Sequence, residues 1–211
     1  MISTHNPMLD KAIDYAKSGL PVLPIMKRGK APANRPGFIH GCKDATTNVE
    51  RITLGWGETP YSIGIATGPK SGLFVVDVDE PAKWEGYLSD HQLELPLGPK
   101  VTTGNGYHLY FAYPQGRKIG NRTKIPGLGI DTRSEGGYVV APPSIHQSGA
   151  VYTFSNQFHG ALPEMPAWLL ELVDKSEVSK PATNTPRVKV SIGTTPYGKA
   201  ALSGECDEVA S

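Results

Sequence analysis

The sequence predicts an α+β fold. Three observations predict it: short apolar runs with strand-like alternation, a few segments with helical spacing placed before, between and after those runs, and a Gly and Pro content (24 and 19 residues) that supplies turns between short elements. Asn6-Pro7 marks a helix start, with Leu9, Ala12, Ile13 and Ala16 at helical spacing and Gly19 as the stop. "LPVLPI" follows as a strand. Residues 26–47 lack periodicity and contain the basic, Pro/Gly-rich stretch "KRGKAPANRPGF". Thr47 or Asn48 caps a short helix that runs through Trp56. "SIGIATG" and "GLFVVDVD" then read as two strands, and Pro81 sits in the first turn of a helix over 80–91. Five strands come next, "KVTT", "YHLYFAY", "LGIDTR", "GYVVAPP" and "AVYTF", before a helix over 166–176. Thus residues 1–176 form one domain. Residues 177–196, rich in Ser, Thr, Pro and Lys, have little to bury and read as a linker; 197–211 begin like another helix, the start of a truncated helical region.

Charge narrows the function classes. The 21 Lys+Arg against 20 Asp+Glu leave no excess of either sign, so any polyanion site is local rather than a property of the whole surface. No run approaches the length a membrane span needs, and the polar start lacks the apolar core of a secretory signal, which predicts a cytoplasmic protein. Two cysteines, Cys42 and Cys206, are too few for a disulfide framework or an all-cysteine zinc site and fit a reducing compartment.

The chemistry starts at "GLFVVDVDE". Strand alternation puts Asp77 and Asp79 on one face and Val76 and Val78 on the other. Two carboxylates held side by side on an otherwise apolar strand call for a cation, and a divalent metal such as Mg²⁺, which shares its oxygen ligands with substrate phosphates, is the natural one. Two such ions roughly 3.5–4 Å apart activate an attacking hydroxyl and stabilise a leaving pyrophosphate. The plainer alternative is a strand end with solvated acids. Asp131, after Ile130 in "GLGIDTR", either closes a carboxylate cluster or caps the next segment. In "VTTGNGYHLYF", Asn105-Gly106 signals a type I′ hairpin with positive φ at both positions. Alternation in the following strand sets His108 and Tyr110 apart from Tyr107, Leu109 and Phe111. His108 is then either a half-buried strand histidine or, if its face also carries Asp77 and Asp79, a donor to phosphate oxygens.

These segments, "DVD", "TTGNGYHLYF" and "GIDTRSEGGYVVAPPS" in this order, resemble the three motifs of the archaeo-eukaryotic primase superfamily, and in particular the bifunctional primase/polymerase (prim-pol) domain of plasmid, phage and prophage replication proteins. The likeness includes "AIDYAKSGLPVLPI", the lysine-containing loop before "GF" and the Trp before "SIGIATGPKSGL", and so covers about residues 8–170. It implies a catalytic RNA-recognition-like antiparallel sheet packed against a small N-terminal α/β part. It further implies two divalent ions, Mg²⁺ or Mn²⁺, on Asp77, Asp79 and Asp131, and nucleotide contacts from His108, Thr103 and the turn at Gly104, Asn105 and Gly106. The family often has Ser where Thr103 stands, which keeps the hydroxyl. Some relatives carry a zinc-binding stem; with no Cys/His cluster, no zinc is expected here.

The implied activity is template-directed nucleotidyl transfer: DNA primase and DNA polymerase synthesis of primers on single-stranded DNA, from dNTP or NTP, in replication of a mobile element. A helicase region is the expected C-terminal companion. Arg133, two residues beyond Asp131, is either a phosphate contact or a neutralising partner of the acids, and Ser144 and His146 border the nucleotide. Lys27, Arg28, Lys30 and Arg35 form one basic loop and Arg117, Lys118, Arg122 and Lys124 another; each either tracks template phosphates or is simply solvated. Lys70 and Ser71 lie in a turn that enters the DxD strand, near enough to approach a phosphate, although turn chemistry explains them equally well. Two other classes share parts of the pattern. A DxD glycosyltransferase would not need the Thr-Gly-Asn-Gly-Tyr-His stretch or Asp131, and a non-catalytic nucleic-acid-binding module would not need all three acids.

Overall fold

The computed structural model describes residues 5–156 and 161–174. Both the predicted linker and the predicted helical start after it lie outside the described residues. The element order is α1 (Pro7–Lys17), β1 (Val22–Ile25), a 3-10 turn (Gly41–Asp44), α2 (Val49–Trp56), β2 (Ser62–Ala66), β3 (Leu73–Val78), α3 (Pro81–Asp90), β4 (Lys100–Thr102), β5 (Tyr107–Ala112), β6 (Ile130–Arg133), β7 (Tyr138–Ala141), β8 (Thr153–Phe154) and α4 (Ala167–Val173). The α+β reading holds, and local chemistry accounts for the boundaries. The Asn6 side chain accepts the Leu9 N–H to cap α1, and Gly19, at φ 84°, turns the chain away after it. Asn48, not Thr47, caps α2 by accepting the Arg51 N–H at 2.8 Å.

The strands form two antiparallel sheets, β1-β2-β7 and β6-β3-β5-β4-β8. The smaller sheet takes β1 and β2 from the N-terminal segment, but β7 comes from beyond Asp131, so the third motif ties the two sheets together. Leu73, Val75, Val101 and Tyr110, on one face of the large sheet, share a core with the small sheet and with Ile52 and Trp56 of α2. Phe74, Val76, Val78 and Phe111, on the opposite face, pack with Trp84 of α3 and with Leu169 and Val173 of α4. The central strands β2 and β3 are buried along their whole length, which is why they read as continuous apolar runs.

Candidate active site

Asp77 is paired across β3 with Asp131 on β6 and with His108 on β5. Residues directly opposite one another project from the same face of a sheet, so Asp131, Asp77 and His108 form one row, on the face that carries Val75 and faces the small sheet. In the next row Arg133 and Tyr110 flank Val75. One face of the large sheet therefore collects residues of the first, second and third motifs at the margin of the inter-sheet core.

Contacts within this row are charged and buried. His108 Nε2 stands 3.4 Å from Asp77 Oδ1. Arg133 Nη2 donates to Asp131 Oδ2 at 2.9 Å and lies 4.0 Å from Asp77 Oδ2. Asp131 Oδ1 accepts the Lys124 backbone N–H at 2.6 Å, so this carboxylate also fastens the preceding loop rather than capping the segment that follows it. Burial pushes the Asp77 carboxyl up, yet the charge and hydrogen bond of His108, followed by the charges of Arg133 and Lys30, outweigh it and hold the group below the usual carboxylate range. Asp79 lies just past β3 and is exposed. Partial desolvation and the neighbouring Asp77 charge, with a smaller push from Asp131, raise its pKa against the opposing charges of Lys30 and Arg133. The three acids thus share one field, although only Asp77 and Asp131 lie in direct register.

Two buried donor positions in the same place lack partners, His108 Nδ1 and Arg133 Nη1. An unsatisfied buried polar atom costs about 1–3 kcal/mol, so two of them beside buried carboxylates suit a site that receives a polar ligand.

The hairpin loop between β4 and β5 differs from its sequence prediction. Neither Asn105 nor Gly106 has positive φ, so the turn is not type I′. Instead Thr103 closes it: its hydroxyl oxygen accepts the Gly106 N–H at 3.1 Å and the Asn105 N–H at 3.4 Å, while its own N–H donates to Gly106 O at 2.9 Å. A hydroxyl at Thr103 is thus needed to shape the loop, a role that serine also fills. The glycines are required by close approach rather than by φ. A Cβ on Gly106 would strike the carbonyl oxygen of Val78, and one on Gly104 would strike the His146 ring. This seats Gly106 against the end of β3, beside Asp79, and Gly104 against His146.

Ser144 is not brought into the cluster. It is fully buried, and its hydroxyl accepts the Ile63 N–H at 2.9 Å, which joins the start of β2 to the turn after β7. Ser144→Ala should therefore lower stability by about 1–3 kcal/mol through the orphaned Ile63 N–H and leave nucleotide use unchanged, as thermal melts and nucleotide titrations would show. His146 does reach the site. Burial, then the charge of Lys30, lower its pKa, and its ring lies 6.0 Å from Tyr152, whose ring is in turn 5.9 Å from His108. Nothing in "AVYTF" distinguished Tyr152 from an ordinary core aromatic; only the fold places it against both histidines.

Several basic residues have structural partners instead. Arg117 pairs with Asp174 at 2.9 Å and Arg122 donates to Leu172 O at 2.6 Å, so both fasten α4 and the residue after it. Lys70 donates to the carbonyls of Lys43 and Ala45.

Among the described residues no group of three or more ligating side chains stands close enough to form a metal cage. The donor set is nevertheless of the right kind for a hard ion: carboxylate oxygens in register, beside an acid whose pKa is raised by partial desolvation and then by like charge. Mg²⁺ is commonly held by one or two carboxylates plus water and substrate phosphates, which fits Asp77 and Asp131 with Asp79 beside them and does not require a complete protein cage.

The depressed Asp77 fixes the sign of a pH effect. A carboxyl whose folded pKa lies below its unfolded value, about 3.9, contributes stability above that pH, and loses it as pH falls through the folded value. Unfolding free energy measured against pH should thus drop more steeply below about pH 4 in the unaltered protein than in Asp77→Asn.

The chain is thus a two-sheet α+β domain with in-register acids and a histidine on one sheet face. The family model described as bifunctional DNA primase/polymerase, N-terminal, matches residues 12–168, and the chain belongs to that family. Its function is accordingly of the primase/polymerase type, in DNA replication. No curated protein matches the chain. No helix among the described residues is long and apolar enough to cross a membrane.

Proposed function

We propose that the chain is a template-directed nucleotidyltransferase that makes and extends primers on single-stranded DNA, in the cytoplasm, during replication of a mobile element, with a helicase region as its C-terminal companion. The observation that carries this reading is the register itself: Asp131, Asp77 and His108 are directly opposite one another on three adjacent strands. Asp77 and Asp131, with Asp79, are the residues that would hold Mg²⁺ or Mn²⁺. When bound, such ions supply Lewis-acid activation of the attacking hydroxyl and neutralisation of the departing pyrophosphate. The rest follows from the chain's own side chains. His108 and Arg133 carry unpartnered nitrogens that can donate to phosphate oxygens, and the Thr103-closed loop brings backbone to the end of β3 where a nucleotide would lie. Their contribution is positioning and charge neutralisation, the main terms in phosphoryl chemistry.

The test is primer synthesis and primer extension on single-stranded DNA with Mg²⁺ or Mn²⁺. His108→Ala should raise the nucleotide KM about tenfold, as expected when a charge-assisted contact is lost, with a smaller effect on kcat. Unchanged synthesis in this variant would remove its assigned role, and template binding without any synthesis by the unaltered protein would favour a non-catalytic module.

A further inference from the structure

The row of Asp131, Asp77 and His108 continues beyond β5. Val101 of β4 is opposite His108, and Phe154 of β8 is opposite Val101, so five residues on five strands share one line on one face of the large sheet. Its last two members differ in exposure. Val101 is fully buried in the inter-sheet core, whereas Phe154 is 49% exposed on the edge strand. Three strand spacings of about 4.8 Å, roughly 14 Å in all, separate it from Asp77. Among the described residues no aromatic ring or cation covers it. A single exposed apolar side chain is ordinary, but this one is held in place. Ser155 N–H donates to Lys100 O at 2.8 Å, and the Thr102 and Ser155 hydroxyls stand 2.6 Å apart. The Asn156 side chain accepts the Lys100 N–H at 3.0 Å and donates to Gly98 O at 2.7 Å, so the chain just after the ring is tied to β4 and its approach.

The opposite face of the same edge is polar. There Lys100, Thr102, Ser155 and Asn156 border an open cleft of about 740 Å³ that reaches the hairpin loop at Gly104 and Asn105. Lys100 Nζ rests 3.6 Å from the Tyr107 ring centre and takes part in none of the ion pairs among the described residues. One edge thus offers a bare aromatic ring on the side of the acids and an ammonium without a carboxylate partner on the other.

Resting on the primase/polymerase reading above, we propose that the β8 edge docks single-stranded DNA: an unpaired base stacks on Phe154, and a phosphate of the same strand meets Lys100 around the edge. Every base has a π-face, so a phenyl ring holds a base without selecting its identity, and a lysine point charge follows a backbone phosphate without fixed geometry. This pairing suits a template of any sequence. The incoming triphosphate is the less fitting occupant, because Phe154 lies three strands from Asp77 and brings no charge.

The experiment is fluorescence anisotropy of the full chain, without nucleotide or metal, on two labelled probes: a single-stranded oligodeoxynucleotide of mixed sequence and one of equal length made of abasic sites. Phe154→Ala and Phe154→Leu should each weaken binding of the first probe about tenfold, the size that stacking of a base on an aromatic ring commonly has, and leave the abasic probe unaffected. Phe154→Trp should retain both, and Leu97→Ala, at an equally exposed apolar residue elsewhere, should change neither. Lys100→Gln should weaken both probes and flatten the slope of log affinity against log salt by roughly 0.7, the value for one phosphate of a single strand. Phe154 is half exposed, so folding should survive, and a thermal melt verifies it. Undiminished binding in Phe154→Ala or in Lys100→Gln, equal losses on both probes in Phe154→Ala, or no binding by the unaltered protein overturns the proposal. A raised nucleotide KM in Phe154→Ala with DNA affinity unchanged also overturns it and assigns the ring to the incoming base. Base-dependent binding through Phe154 in a protein that makes no primers would sink the polymerase reading and leave the docking edge standing.

Discussion

Asp77→Asn abolishes primer synthesis and primer extension, with a fall on the order of 10³-fold, about 4 kcal/mol of transition-state stabilisation. Asparagine keeps the shape of the side chain and an oxygen facing His108 Nε2, but removes the charge on which the row is centred. The variant should also lose stability near neutral pH, because His108 and Arg133 outweigh burial in favouring the ionised Asp77 of the folded state, and both lose their charged partner. Asp77→Ala is a harsher change, since it leaves His108 with two unpartnered ring nitrogens. Asp79→Asn provides the contrast. Its carboxyl is held above the usual range by partial desolvation and by Asp77, so neutralising it should lose activity while leaving the melting temperature unchanged or slightly raised. Synthesis by Asp77→Asn at more than a tenth of the normal rate would count against the central role given to this carboxylate.

Local chemistry was legible in the sequence where a short stretch decides its own structure. Asn6-Pro7, Asn48 and Pro81 start the three helices they predict, and each of the eight expected strands is present in shortened form. Alternation correctly separated His108 and Tyr110 from Tyr107 and Phe111, because the first pair belongs to the inter-sheet core face and the second to the helix-covered face. What the sequence could not carry is non-local pairing. That β7 leaves the sheet of β6 to join β2, or that Asp77 meets both Asp131 and His108 in register, depends on contacts between residues far apart in the chain. The 3-10 turn at Gly41–Asp44 lay in a segment without periodicity. Ser144 and Asn105-Gly106 were misread for a related reason. A buried backbone N–H at Ile63 claimed the Ser144 hydroxyl, and the Thr103 hydroxyl rather than backbone handedness shaped the hairpin loop.

Gly106→Ala should destabilise the protein by about 2–3 kcal/mol, the range for inserting a methyl group where there is no room. At about 2–4 °C per kcal/mol for a chain of this size, the melting temperature should fall roughly 5–10 °C. The penalty does not come from φ, which is unexceptional at this position, but from the carbonyl oxygen of Val78 that the new Cβ would strike. Neither partner can give way easily. Val78 is the last residue of β3, paired with Tyr107 on one side and Ile130 on the other, and Gly106 is held by the Thr103 hydroxyl and backbone. Relief requires moving the hairpin away from β3, which would carry the loop off Asp79 and so weaken nucleotide use as well. Gly86→Ala, in α3 with open space around its Cβ, should have the opposite sign and stabilise by about 0.5–1 kcal/mol. If the two alanine variants melt together, the close packing of the hairpin loop on the end of β3 is not what holds that loop in place.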